Sequence, residues 1–542
     1  MRVSFLFLLL LAAVTTYSQA DYILYNGKIF TSDKKRLWAE ALAIKGERIL
    51  AVGGNAEILK SKGSSTKLIN LDKRLVVAGF NDAHAHVGAL YPARRFELSA
   101  DPFAPTPWQI LRDSIVKIVN QVPRGTFIIT TIDPAVLDDT TVRRKALDSI
   151  APQNPVMMSA WTGHGKILNS AALKFFGFDM QTEFLGGRLD KDADQQLTGL
   201  IEEYANFRVG AEFSRKMDSS TIIRNIKGYY EQTAALGITT VQNMCTQHFA
   251  KQAVDLYTTH VFPCRVRLMA FPFTNNTRLL LDDWNGFFHS LNKMNYVSGV
   301  KLVLDGTPVE RLACLRQPYS DKPGAYGRLN FDAPTLRHYM EFCLAHKQQI
   351  IIHAVGDSTI TTIIRTMQSL HPAAFWKNKR VRIEHGELAV VQTEDINILK
   401  QFGIVIVQNP THLGLPQIIS KRFGSTRINY VQPLRSLLDN NIPLAIGSDG
   451  PFNPYVNIML ATIHPDNPKE AISREEAVIA YTYGSAYAEF KEDEKGTLMK
   501  GKLADLAVLS QDIFNVSPDK LPSTESVLTF IGGKIVYSKN VF

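Results

Sequence analysis

The chain has 542 residues, enough for one large barrel with a smaller domain or for three average domains. Its 45% hydrophobic and 20% charged content is that of an ordinary globular protein, and beyond the extreme N-terminus no window reaches the apolar length of a membrane span. The net charge of +9 is spread over single or paired Lys and Arg without a basic stripe, which argues for solubility and anionic neighbours and against nucleic acid as a partner.

Residues 1–20 read as a secretory signal peptide. Arg2 supplies the charged start, 3–14 is an apolar run too short to span a bilayer, and Ser18 and Ala20 are small residues at the positions a signal peptidase inspects. The expected mature chain begins near Asp21 and is periplasmic or secreted, with no stable membrane insertion after cleavage. Cys245, Cys264, Cys314 and Cys343 are too few for a disulfide framework and contain no CxxC pair, so core packing is expected, with one disulfide left open. Asn275-Asn276-Thr277 and Asn515-Val516-Ser517 are glycosylation sequons in a eukaryotic host.

Short strand signals follow at 22–30, 41–44, 48–52 and 67–70, separated by Asn-Gly, Lys-Gly-Glu and Gly-Gly turns. The same texture returns at 506–509, 526–531 and 534–538. These predict a small β-sandwich domain built from both termini, residues 21–78 and 491–542. Between them, compact apolar runs followed by helical patterns occur at 76–84, 238–244, 265–271, 299–304, 350–354, 380–385, 404–408 and 443–447. Eight such units predict an α/β fold, a (β/α)8 TIM barrel over residues 79–490, with a doubly wound open sheet as the alternative. Two further strand-like runs, 127–131 and 155–160, are assigned to a long insertion after the first barrel strand, roughly residues 90–235, far longer than an ordinary βα loop.

Asp82-Ala83-His84-Ala85-His86 ends the first barrel strand. Residues two apart on a strand face the same way, so His84 and His86 project together into the barrel mouth and form half of a zinc-type site. His353, His385 and Asp449 end later strands, where TIM-barrel enzymes place their chemistry. In the strand before His385, alternation sends Ile383 and His385 to one face and Arg382 and Glu384 to the other, so Arg382 is expected in an ion pair with a neighbouring helix. Lys301 sits inside a strand where Val or Leu is usual. A buried ammonium is costly, and one resolution is a carbamate formed with carbon dioxide that bridges two cations; the other is snorkelling or pairing with Asp305. Asp357 is expected to cap a helix starting at 358, and Trp161 with the Phe-rich insertion to form core or an apolar substrate wall.

The order of motifs is similar to that of the amidohydrolase superfamily, and within it of the YtcJ-like (amidohydrolase 3) group related to N-substituted formamide deformylases. The stretches are Tyr25-Asn26-Gly27-Lys28-Ile29-Phe30-Thr31, Arg74-Leu75-Val76-Val77-Ala78-Gly79-Phe80, the His84/His86 motif and Gly163-His164-Gly165-Lys166-Ile167-Leu168-Asn169-Ser170. Val300-Lys301, Asp305-Gly306, His353-Ala354-Val355-Gly356-Asp357, Arg382-Ile383-Glu384-His385, Gly447-Ser448-Asp449 and Gly501-Lys502-Leu503-Ala504-Asp505-Leu506 complete the set. Departures are Ala78 for the usual Pro, Asn81 for an apolar residue, and Asn409-Pro410-Thr411-His412 for the usual QPxH.

The resemblance implies one or two divalent metal ions, zinc favoured. His84, His86 and Asp449 would serve one ion, His353 and His385 a second, and Lys301, as N6-carboxylysine, would bridge them. It also points to His164 and His412 as substrate-binding residues. The implied reaction is metal-assisted hydrolysis of a carbon–nitrogen bond in a small non-peptide amide, formamide or cyclic amide, with Asp449 as catalytic proton carrier. Lactone or phosphoester hydrolysis, metal-dependent isomerisation or decarboxylation, and non-catalytic binding are the alternatives. A homodimer is left open.

Overall fold

The computed structural model describes residues 19–99, 104–273 and 281–539. Residues 1–18 of the expected signal segment and the sequon at 275–277 lie outside the described residues. No helix among the described residues is long and apolar enough to cross a membrane.

Two sheets face one another at the chain termini. One has the order Arg48–Gly53, Ala41–Lys45, Tyr22–Tyr25, Lys67–Asn70; the other runs Lys534–Ser538, Ser526–Ile531, Leu506–Leu509, Leu75–Ala78, Lys28–Phe30, Trp38–Ala39. Leu24, Leu42 and Ile44 from the first pack with Val76, Leu506 and Phe530 from the second in one buried core, the arrangement of a β-sandwich. The single strand expected over 22–30 is in fact two. Asn26 takes φ +58°, and at this Asn-Gly corner the chain leaves one sheet for the other.

The apolar run 76–84 divides in the same way. Leu75–Ala78 belongs to the sandwich, and the first barrel strand, β1, is Phe80–Ala85. Gly79 between them lies against Thr239, whose side-chain atoms would stand 2.2 Å from a Cβ there. No larger residue fits at the crossing.

The remaining barrel strands are β2 (Ile238–Asn243), β3 (Arg265–Ala270), β4 (Asn295–Val303), β5 (Ile350–Ala354), β6 (Arg382–His385), β7 (Val405–Gln408) and β8 (Leu444–Ile446). Each pairs in parallel with the next, in unbroken chain order. A doubly wound sheet would reverse its strand order, so the barrel is the fold. The seam between β8 and β1 closes without a regular ladder. Asp449 N donates to His84 O at 2.8 Å, and Ser448 N to Asp82 Oδ1 at 2.7 Å. Gly447 makes that approach feasible, since a Cβ there would meet His84 N at 2.4 Å. Helices such as Ser219–Ala235, N-capped by Asp218 accepting from Thr221 N, bury Ile222, Ile226 and Tyr230 against β2 and its neighbours.

Between β1 and β2 the chain builds a third sheet, ordered Gly187–Lys191, Leu197–Glu203, Gly165–Leu168, Val156–Ala160, Ile128–Ile132, Arg94–Phe96. The two strands expected in this insertion, Ile128–Ile132 and Val156–Ala160, are parallel neighbours within it. The sheet has cores of its own, with Leu111, Ile128, Val156 and Ile167 on one face. Cys245, Cys264 and Cys343 are buried, Cys314 is half-buried, and all four are free thiols.

Candidate active site

The ends of β1, β4, β5, β6 and β8 converge on a cavity of 330 Å³. His86, Lys301, His353, His385 and Asp449 line it from the barrel, and His164 from the insertion. His84 lies directly beneath, fully buried, with Nε2 3.3 Å from His86 Nε2 and 3.5 Å from Asp449 Oδ1. His86 Nε2 is 3.2 Å from the same carboxylate oxygen. Ligand atoms of His84, His86 and Asp449 all fall within 4.8 Å of one another, and so do those of His385, His412 and Asp449. His353 stands beside these triplets, its ring 4.4 Å from that of His385 and 5.2 Å from that of His164.

His84 Nδ1 is 2.7 Å from Glu384 Oε2, and a carboxylate can only accept, so Nδ1 carries the proton and Nε2 offers a lone pair. Burial, with Lys301 nearby, pushes His84 down to about 4. His353 and His385 are held well below the usual histidine range, first by burial and then by neighbouring cationic groups. These imidazoles are therefore neutral at neutral pH, the state that binds a metal. Burial alone would raise the Asp449 carboxyl, but His84, His412 and His86 outweigh it and hold it well below the carboxylate range.

The fit to a cation shows in what is left over. Lys301 Nζ, His353 Nε2 and His385 Nδ1 are buried with no hydrogen-bond partner among the described residues, although buried polar groups in folded proteins are almost always paired. A centre of neutral imidazoles around an ionised carboxylate matches the donor set of a zinc-type ion.

Lys301, on β4, is 1% exposed, so it does not snorkel. Nor does it pair with Asp305, whose carboxylate accepts from Val355 N, Gly356 N, Cys314 N and Thr359 Oγ1 at 2.6 to 3.0 Å. Burial, opposed by Glu384 and Asp449, lowers its amine to about 8.

The alternation expected in β6 is the wrong way round. Ile383 packs into the core shared with the outer helices, while Arg382 and Glu384 lie wholly inside the barrel. Arg382 donates to Glu384 Oε1 at 2.9 Å, Gln242 Oε1 at 2.6 Å and Ala83 O at 2.8 Å, and makes no ion pair with a neighbouring helix. His385 reaches the cavity because the strand ends there, its φ of +69° turning it out of β geometry. Asp357 is also one place off as a cap. The helix Asp357–Leu370 has Gly356 at its N-cap, and the Asp357 carboxylate, inside the first turn, accepts from Ser358 N and from Arg316 N.

His164 and His412 flank the centre, and each is held through Nδ1 by a buried glutamate, Glu203 and Glu387 respectively, both at 3.0 Å. Despite burial, the carboxylates of Asp449 and Glu387 raise His412 to about 10, so it is an imidazolium at neutral pH and not a free ligand. Its Nε2 lies 3.6 Å from Asp449 Oδ2. Glu203 also raises His164, against the effect of burial. Trp161 and Phe207 line the cavity from the insertion. Sequence reasoning gave no role to Glu203, Glu384 or Glu387, nor to Thr246, whose hydroxyl lies 2.8 Å from His86 Nδ1. Glu384 sits within a quoted motif, but only the fold places it under His84.

Residues 67–537 match the profile of the amidohydrolase family. The chain is 30% identical to Protein LONG AFTER FAR-RED 3 of Arabidopsis thaliana, covering 96% of this chain and 92% of that one. It is 26% identical to a putative amidohydrolase, YtcJ, of Bacillus subtilis (96% and 99% covered), and 22% identical to N-substituted formamide deformylase of Arthrobacter pascens (96% and 98%). Among solved structures it superposes on an uncharacterized metal-dependent hydrolase from Pyrococcus horikoshii with a TM-score of 0.70 at 20% identity, covering 92% of this chain and 99% of that one. With motif order, barrel and profile in agreement, the chain belongs to the amidohydrolase family, in its YtcJ-like group.

Proposed function

We propose that the protein is a metal-dependent hydrolase that cleaves a carbon–nitrogen bond in a small non-peptide amide, formamide or cyclic amide. The observation that carries this reading is the convergence of His84, His86 and Asp449 within 4.8 Å at the barrel mouth. The likeness to a formamide deformylase supports the bond type. His84, His86 and Asp449 would hold one divalent ion, zinc by donor type, and His385 and His353 are placed to serve a second. When bound, such an ion supplies Lewis acidity and brings the pKa of a water close to neutrality.

The protein's own groups do the rest. Asp449, ionised at neutral pH, receives the proton of the attacking water at its carboxylate and later returns it to the leaving nitrogen. His412, cationic and fixed by Glu387, presents its Nε2 proton beside Asp449 towards a substrate oxygen. His164, oriented by Glu203, contacts the substrate from the insertion side. Trp161 and Phe207 restrict water at the entrance. Lys301, unpartnered and with its ammonium disfavoured, is the chain's site for carboxylation: the neutral amine adds to carbon dioxide, loses a proton and becomes an anionic carbamate.

The test is metal analysis of protein purified without chelator, combined with a hydrolysis screen over N-acyl amino acids, N-formyl amines and cyclic amides. Asp449→Asn should stay folded and lose about 10²–10⁴-fold in kcat. Near-normal turnover in that variant overturns the role of Asp449, and absence of stoichiometric metal overturns the hydrolase reading.

A further inference from the structure

The cavity above the metal ligands has a charge feature that the hydrolytic reaction itself does not use. Two cationic side chains of the insertion line it, exposed Arg95 and half-buried Lys166, and neither makes an ion pair among the described residues. Among the described residues, Lys166 Nζ has the amide oxygen of Asn206 as its one hydrogen-bond partner, and Arg95 reaches the carbonyl of Tyr91 at 3.4 Å. Several partly buried cations of this protein are matched: Arg328 with Glu202, Arg311 with Asp321, Arg380 with Glu492. A cation drawn out of water without a counter-charge is destabilising, so the half-buried ammonium of Lys166 calls for an anion from elsewhere, and the exposed Arg95 guanidinium on the same wall adds to its attraction.

The sheet register puts both on one face. Arg95 lies opposite Ile129, Ile129 opposite Met157, and Met157 opposite Leu168. Lys166 precedes Leu168 by two residues and so shares its side of the strand, the side on which Met157 meets the cavity. Asn206 fixes Lys166 in turn: its amide nitrogen donates to Gly163 O at 2.5 Å, which leaves its oxygen aimed at the ammonium. Desolvation lowers both cations, Lys166 to about 8, and no carboxylate among the described residues opposes it.

We propose that the substrate carries an anionic oxyacid group, a carboxylate or a phosphate, and that Lys166 and Arg95 receive it while the scissile bond lies at the His84/His86/Asp449 centre. The inference rests on the hydrolase reading above and narrows it to amides with an acidic substituent. Asn206 is a positioning residue for Lys166.

The experiment compares each N-acetyl and N-formyl amino acid with its methyl ester, and each with a phosphonate of matching shape, on metal-loaded protein. The acid should exceed its ester in kcat/KM, mainly through KM. Lys166→Met should reduce the acid-to-ester ratio by about ten- to a hundredfold, the loss of one charge-assisted contact. Lys166→Arg should restore most of it, which separates lost charge from lost folding. In parallel, calorimetry measures N-acetyl amino acid binding to metal-free protein and to its Lys166→Met form. Binding that weakens in the variant while no substrate is hydrolysed would retain the anion site and overturn the hydrolase reading. Hydrolysis of esters as efficient as that of the acids, with a ratio unmoved by Lys166→Met and Arg95→Met, would overturn the anion site and leave the hydrolase intact. Preference for the phosphonate over the carboxylate would assign the site to phosphate.

Discussion

Glu384→Gln tests the link between the barrel interior and the proposed metal ligands. Glu384 accepts from Arg382 Nε at 2.9 Å, Arg382 Nη2 at 3.1 Å and His84 Nδ1 at 2.7 Å, and all three residues are fully buried. Although burial opposes it, Arg382 and His84 hold the Glu384 carboxyl down to about 2, so it is a carboxylate at every working pH. Glutamine preserves the shape but has one acceptor oxygen and one NH2 group where two oxygens received three donors. A donor must then face a donor. Arg382 keeps Gln242 and Ala83 O but loses its counter-charge, a change that costs about 3–5 kcal/mol in a buried pair. His84 loses the acceptor that fixes its tautomer, which lowers metal affinity about 10–100-fold, or roughly 1.4–2.8 kcal/mol. The stability effect is the larger, so a second variant is needed to isolate the ligand effect. In Arg382→Met combined with Glu384→Gln the buried charge is gone and stability should largely return. Metal affinity should stay low. Competition against a chromophoric chelator reads affinity, and thermal unfolding reads stability. A double variant that binds metal as tightly as the parent refutes the claim that Glu384 acts through His84.

Glu387→Gln should lower the pKa of His412 from about 10 towards its ordinary value, so the alkaline limb of the kcat/KM profile moves to lower pH; an unmoved limb removes His412 from the reaction. Gly447→Ala places a Cβ 2.4 Å from His84 N, and backbone cannot yield as a side chain does. It should cost at least about 1–3 kcal/mol and weaken metal retention, measured by thermal unfolding and metal content. On acidification, between about 6.5 and about 4, the unfolded chain binds a proton at His84 that the folded chain refuses, so stability falls as pH drops through that window. The unfolding temperature of metal-free protein should decline across it, with a shallower slope in His84→Gln; parallel slopes would show that other groups carry the effect.

The eight barrel strands are legible because a parallel strand buried on both sides is a continuous apolar run, and Ile350–Ala354 or Val405–Gln408 admits few other readings. Strand breaks are less legible. Across Asn26-Gly27 and across Gly79 the apolar pattern continues while the chain changes sheets, and only a corner φ or a close approach to Thr239 marks the change. The outer insertion strands escape notice because they are short and charged, as Arg94-Arg95-Phe96 shows. The error in β6 has a deeper origin. Period-two reasoning assumes that the apolar residue faces the core, but a barrel has a core on each side of its strands. In β6 the outer one takes Ile383 and the inner one takes an ion pair.

Motif order brought the chemistry-bearing side chains together without predicting their charge states, because those depend on glutamates distant in sequence. His84 and His412 have the same local arrangement, Nδ1 against a buried glutamate, yet one is held at about 4 and the other at about 10. The difference lies in what surrounds each pair. Glu384 is already matched by Arg382, and complete burial together with the positive charge of Lys301 outweighs the pull of Asp449, whose Oδ1 stands 3.5 Å from His84 Nε2. Glu387 pairs with no arginine among the described residues, and the half-buried His412 imidazole sits between it and Asp449. One motif therefore yields a neutral imidazole on the β1 side of Asp449 and an imidazolium on the β7 side, the division of charge that the proposed hydrolysis at a single carboxylate would use.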